Sequence, residues 1–134
     1  MKVYLDTNVL ISAFAARGLC ADLLRLLLAE HEVLTGEVNL IELRRVLVER
    51  FKAPPAQVRL VVDLLRDQTI VAKPAATLRL EVRDGDDAWV LASAVAGGAE
   101  LLVTGDQDLL VLAELAPVAI VSPRQAWEQL RGIR

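Results

Sequence analysis

The stretch Val3-Tyr4-Leu5-Asp6-Thr7-Asn8 decides how the chain is read, together with its distant counterpart Leu101-Leu102-Val103-Thr104-Gly105-Asp106. In each, a short apolar run of the kind that forms a buried strand ends at polar residues suited to a turn into a helix. In an open parallel sheet, ligands bind beyond the carboxyl ends of the strands, beside the point where strand order reverses. Two aspartates at neighbouring strand ends would face one crevice and repel. Unit charges roughly 4 Å apart cost about 4 kcal/mol at an effective dielectric near 20. A divalent cation is the simplest counter-charge. Asp6 and Asp106 are therefore candidate ligands, although each residue also suits a helix cap.

Residues 2–5, 32–34, 69–71, 101–103 and 118–121 read as strands, with a further possible strand at 78–82. Helices are expected at 8–14, capped by Thr7 or Asn8, and at 20–30, 37–51, 55–66, 86–96, 107–112 and 123–130. Pro55 suits a first helical turn, and Gly97-Gly98 suits a helix end. Strands alternating with helices indicate an α/β fold. The expectation is a single domain over residues 1–134, without repeats, low-complexity segments or a linker.

Composition agrees. Of the 134 residues 54% are hydrophobic but only 4% aromatic, a mixture that suits a parallel sheet buried on both faces beneath closely packed helices. No apolar run reaches the roughly 18 residues of a membrane span, and Met1-Lys2 leads directly into strand-like sequence. A cytoplasmic protein without a signal peptide is expected. The single cysteine, Cys20, excludes an internal disulfide and a multi-cysteine zinc site. The single histidine, His31, is not accompanied by a nucleophile-elbow pattern. A net charge of −3 argues against a broad basic footprint for nucleic acid. It leaves room for a local patch, to which Arg17, Arg44, Arg45, Arg50 and Lys52 are the candidates.

The acids are unevenly placed: Asp84, Asp86, Asp87, Asp106 and Asp108 crowd into one quarter of the chain. Helical direction puts Asp87 on the face shared with Leu91 and Ala94, which packs inward. Asp86 falls with Trp89 and Val90, and Asp84 sits in an Asp-Gly turn. Glu42 borders the apolar side of its helix between Val38 and Val46, or else pairs with Arg45. Asp108 is an alternate ligand or a cap. An inward acid set without matching His or Cys ligands selects a hard cation bound through oxygen, Mg²⁺ or Mn²⁺. The chain has no EF-hand spacing, Walker A loop or GxGxxG. Metal-dependent phosphodiester hydrolysis is the chemistry that fits.

These residues resemble a known family. Leu5-Asp6-Thr7-Asn8, Glu42 on the third helix, Asp87 within Asp86-Asp87-Ala88-Trp89-Val90-Leu91-Ala92-Ser93-Ala94, and Val103-Thr104-Gly105-Asp106-Gln107-Asp108-Leu109-Leu110 look like the PIN-domain nucleases, in their VapC-like toxin branch. The resemblance spans nearly the whole chain. It implies a three-layer α/β/α sandwich with a mainly parallel central sheet, and Mg²⁺- or Mn²⁺-dependent ribonuclease activity. It also implies ligand roles for Asp6, Glu42, Asp87 and Asp106, with Asn8 and Thr104 orienting the carboxylates and Asp86 as the alternate for Asp87. Such toxins form dimers and are silenced by a small antitoxin protein, and the helices at 20–30 and 55–66 are the candidate contact surfaces. Two other readings compete. A haloacid-dehalogenase-type phosphatase needs a second aspartate two residues after the first, where this chain has Asn8. A catalytically silent PIN-fold interaction module would have no need of acids at all four positions.

Overall fold

The computed structural model describes residues 1–78 and 85–132. The possible strand at 78–82 and the Asp84 turn fall on or run into the segment outside the described residues. Among the described residues five strands form one sheet: β1 (Lys2–Leu5), β2 (Glu32–Gly36), β3 (Thr69–Val71), β4 (Leu101–Val103) and β5 (Ala119–Val121). Their order is β3-β2-β1-β4-β5, and every neighbouring pair is parallel. The helices are α1 (Thr7–Ala15), α2 (Leu19–Glu30), α3 (Glu37–Glu49), α4 (Pro55–Arg66), α5 (Gly85–Ala96), α6 (Gln107–Leu110) and α7 (Pro123–Leu130).

The pleat sorts the strand residues between two cores. Val3, Leu5, Val33, Leu101 and Val103 face the layer that holds α1, α2, α3, α4 and α7. Tyr4, Leu34, Leu102 and Ile120 face α5 and α6 on the opposite side. Both sets are apolar because both faces are covered, and this is why these strands read as unbroken hydrophobic runs and not as alternating ones.

Several boundaries differ from the sequence expectation. Asp6 caps α1 instead of Thr7 or Asn8, its side chain accepting from Thr7 N at 2.8 Å. β2 runs on through Thr35 and Gly36, pairing with Ile70 and Val71, where a turn was expected. Helix α3 stops at Glu49, before Phe51, and α6 stops at Leu110. Helix α2, expected as a contact surface, spends its leucines on the core. Leu23, Leu24 and Leu27 are buried and Leu26 and Leu28 half-buried, under α1 and α7. Helix α4 differs: Val58, Val62 and Leu65 face inward, but Leu60 is 70% exposed.

Candidate metal centre

The sheet reverses its order at β1, between β2 on one side and β4 on the other. Leu5 pairs with Val103 in register, and Asp6 N donates to Val103 O at 3.0 Å. The two strands therefore end side by side. The chain leaves β1 through Asp6 into α1 and leaves β4 through Thr104 and Gly105 to Asp106, which caps α6 by accepting from Asp108 N at 2.9 Å. Capping and clustering of charge hold together here, because one carboxylate oxygen of each aspartate serves the helix.

Asp6 is nearly inaccessible, at 4% exposure. Four donors converge on it. Thr7 N at 2.8 Å and Asn39 Nδ2 at 3.1 Å reach Oδ1, and Thr104 Oγ1 at 2.7 Å and Asn8 Nδ2 at 3.3 Å reach Oδ2. Asn8 and Thr104 thus touch the carboxylate they were expected to orient. They are also tied to each other at 3.4 Å and to the β4 turn, through Gly105 N to Asn8 Oδ1 at 3.0 Å and Asp106 N to Thr104 Oγ1 at 3.0 Å. Burial nevertheless pushes the Asp6 carboxyl above its ordinary value, and the negative charge of Asp106 pushes the same way against the donors from Thr104 and Thr7. Glu42 is half-buried and also raised, first by burial and then by the charge of Asp6, with Arg45 opposing. Its Oε2 accepts from Thr7 Oγ1 at 3.5 Å, the outer limit of a hydrogen bond.

A cleft of about 210 Å³ collects Asp6, Asn8, Glu42, Asp86, Asp87 and Asp106, with Arg50 on its wall. Asp87 is buried and Asp86 exposed, as the helical direction of α5 requires. Two of these, Asp87 and Asp106, and with them Asp108, offer carboxylate oxygens all within 4.8 Å of one another. Asp108, an alternate in the sequence reading, is thus brought into the tightest group. Asp6 and Glu42, both expected as ligands, line the cleft but stand outside that group. All three donors are carboxylates, so the set fits a hard divalent cation and not a soft one.

Sequence reasoning missed the polar layer beneath Asp6. Asn39 is fully buried on α3 and donates to Asp6 and to Thr7 Oγ1, the latter at 2.9 Å. The Tyr4 hydroxyl donates to Asn39 Oδ1 and is also bonded to Ser93 Oγ at 2.7 Å. Burial raises the Tyr4 phenol further above its ordinary value, so it stays a neutral donor. Gly36 leaves room for this group, because a Cβ there would collide with both Ser93 Oγ and the Tyr4 hydroxyl. The available signal was Asn39 itself, a polar residue one turn before Glu42 on the same helical face.

The adjacent acids of α5 separate by experiment. Asp86 lies in the first turn of α5. Asp86→Ala should cost about 0.5 kcal/mol through the helix dipole, measured by urea denaturation, with little loss of metal binding. Asp87→Ala should lower Mn²⁺ affinity at least tenfold by calorimetry. The reverse ranking would move the ligand to Asp86.

No curated protein sequence matches the chain. Solved structures do match its fold. A chain of VapBC2 from Rickettsia felis, bound to a DNA fragment from their promoter, is 16% identical with a TM-score of 0.61, over 91% of this chain and 98% of that one. A chain of VapBC-1 from nontypeable Haemophilus influenzae is 17% identical with a TM-score of 0.64, over 92% and 99%. At this identity the likeness speaks for the fold. The profile of the PIN domain family matches residues 2–108, and with most of its length so matched the chain belongs to the PIN domain family.

Proposed function

We propose that the protein is a metal-dependent endoribonuclease that hydrolyses single-stranded RNA, and that it is the toxin of a toxin-antitoxin pair. The observation that carries this reading is the convergence of Asp87, Asp106 and Asp108 beside Asp6 at the carboxyl ends of β1 and β4, in a chain of the PIN family. Asp87, Asp106 and Asp108 would hold Mg²⁺ or Mn²⁺, with Asp6 and Glu42 adding charge from beside them. When bound, such an ion supplies an activated water and neutralises charge on the phosphate. The protein's own part is positional. The Thr104 hydroxyl and the Asn8 and Asn39 amides fix Asp6 before substrate arrives, so no reorganisation is spent during the reaction. Asn8 gives the longest of the four contacts to Asp6, so it yields first if that oxygen turns toward an ion. Arg50, on the cleft wall, is placed to meet a phosphate. Cleavage of a closed circular RNA oligonucleotide tests the endonuclease reading: linear product is expected, and circles left intact beside digested linear RNA would contradict it.

The antitoxin half rests on the α3–α4 face. A groove of about 400 Å³ there is lined by Leu40, Ile41, Arg44, Val48 and Arg66, and Ile41 is 68% exposed. Exposed apolar area of this kind marks an interface, and an amphipathic helix fits such a groove through anchors at helical spacing. The likeness in fold to chains of VapBC2 and VapBC-1 supports a partner of the antitoxin kind. Light scattering should show a symmetric dimer of the purified chain and a larger complex after co-expression with the neighbouring gene. A monomer at tens of micromolar that captures no partner would contradict both. No helix among the described residues is long and apolar enough to cross a membrane.

A further inference from the structure

A second cleft, of about 270 Å³, adjoins the acidic one and shares Glu42, Asp86 and Val90 with it. Trp89 lines it from α5, two residues beyond Asp87 on the helix that brings Asp87 to the acid cluster. Arg45 on α3 and Lys73, just after β3, supply its cations. Lys73 Nζ lies 4.4 Å from the centroid of the Trp89 ring. Arg45 and Lys73 are exposed, and Trp89 is half-buried.

We propose that this cleft is a stacking subsite for one unpaired base of the RNA strand, with Trp89 as the platform and Lys73 and Arg45 facing the flanking phosphates. The inference rests on the ribonuclease reading above and deepens it. A strand whose scissile phosphate lies at the acid cluster must lay its next nucleotide along the wall, and the shared rim at Glu42 and Asp86 leads into this cleft. Its volume is below the roughly 300–1,000 Å³ of pockets that enclose a drug-sized ligand, and suits a single base. An aromatic face flanked by cations is the general device for holding single strands without reading their sequence. Arg45 and Lys73 also offset the two carboxylates of the cleft, Glu42 and Asp86, so that in a chain of net charge −3 this path beside the acidic centre is locally neutral and repels RNA less than the centre does. Lys73 now covers the ring face that a base would take. A cation–π contact at an exposed site is weak, so the flexible ammonium is readily exchanged from the ring to a phosphate as the base stacks.

The test uses the indole itself. Trp127 packs against the other core, on α7, so Trp127→Phe leaves Trp89 as the sole indole. In that background, with cleavage blocked by Asp106→Asn and Mg²⁺ present, a short oligoadenylate should quench the fluorescence and inorganic phosphate should not. In the cleavage-competent protein, Trp89→Ala should raise KM for the oligonucleotide at least about fivefold, the lower end expected for one stacked base. Trp89→Phe should recover most of that loss, and an abasic residue in the oligonucleotide should remove the difference between Trp89 and Ala. Unchanged KM in Trp89→Ala without quenching, while the wild-type protein still cleaves RNA, would overturn the subsite and leave the ribonuclease standing. A Trp89 signal moved only by a co-expressed protein partner would also overturn it. Failure of the wild-type protein to cleave any RNA would remove both readings together.

Discussion

Asp6→Asn is expected to give a folded protein whose RNA cleavage is lower by about a thousandfold or more. Losing one preorganised electrostatic group in an active site costs about 10²–10³ in rate, and Asp6 also anchors Asn8, Asn39 and Thr104. Far-UV circular dichroism should be unchanged, because β1 and α1 keep their backbone bonds and Asn is itself a good cap. Stability of the metal-free protein should not fall by the full value of a buried ion. Burial raises the Asp6 pKa above the ordinary carboxylate value, so the native fold bears a cost for the ionised form of this residue. Asn removes that cost while disturbing some of the donors that point at the carboxylate. Loss of the native spectrum in Asp6→Asn would show the residue to be structural first. Cleavage within tenfold of wild type would remove Asp6 from the centre.

Saturating Mn²⁺ is expected to raise the melting temperature on the order of 10 °C. At a hundred times Kd a ligand bound only by the native state adds about 2.7 kcal/mol, and for a domain of this size each kcal/mol is worth a few degrees. The increment should depend on pH in a set direction. Asp6 and Glu42 both have raised pKa values in the fold, so between their unfolded and folded values the native state binds more protons than the unfolded chain. The metal-free fold therefore loses stability as pH rises through that window and keeps the penalty above it. Cation binding offsets the penalty where the acids are ionised and competes with protons inside the window. The Mn²⁺ increment should thus be full above that window and shrink as pH falls through it, before the ordinary carboxylate range is reached. Scanning calorimetry at several pH values measures it. An increment independent of pH would mean that Mn²⁺ binds elsewhere.

The centre was partly legible in the sequence because strand ends are punctuated. Val3-Tyr4-Leu5 and Leu101-Leu102-Val103 each stop at polar residues, and parallel topology forces such ends to one side of the sheet. The direction of α5 also separated Asp87 from Asp86, since Leu91 and Ala94 mark its inward face. The layer beneath was not legible. Tyr4 lies inside an apolar strand and looks like core, and Ser93 hides among alanines. Their joint role exists only because β1, α3 and α5 meet, across sequence separations that no local pattern encodes. The nearness of Asp108 to Asp87 was not legible for a similar reason, since it depends on how α6 turns after Asp106. The leucines of α2 misled in the other direction. Periodicity shows that a helix has an apolar face but not what covers it, and α1 and α7 account for that face.

We propose that the carboxylates at the ends of β1 and β4 act through a divalent cation on RNA. The most direct measurement is cleavage of a labelled single-stranded RNA by the purified protein in Mg²⁺ or Mn²⁺, after excess EDTA, and after the metal is restored. Cleavage lost in EDTA, regained with the metal, and absent throughout in Asp106→Ala is the predicted result. Full cleavage in EDTA, or cleavage by Asp106→Ala at the wild-type rate, would contradict it.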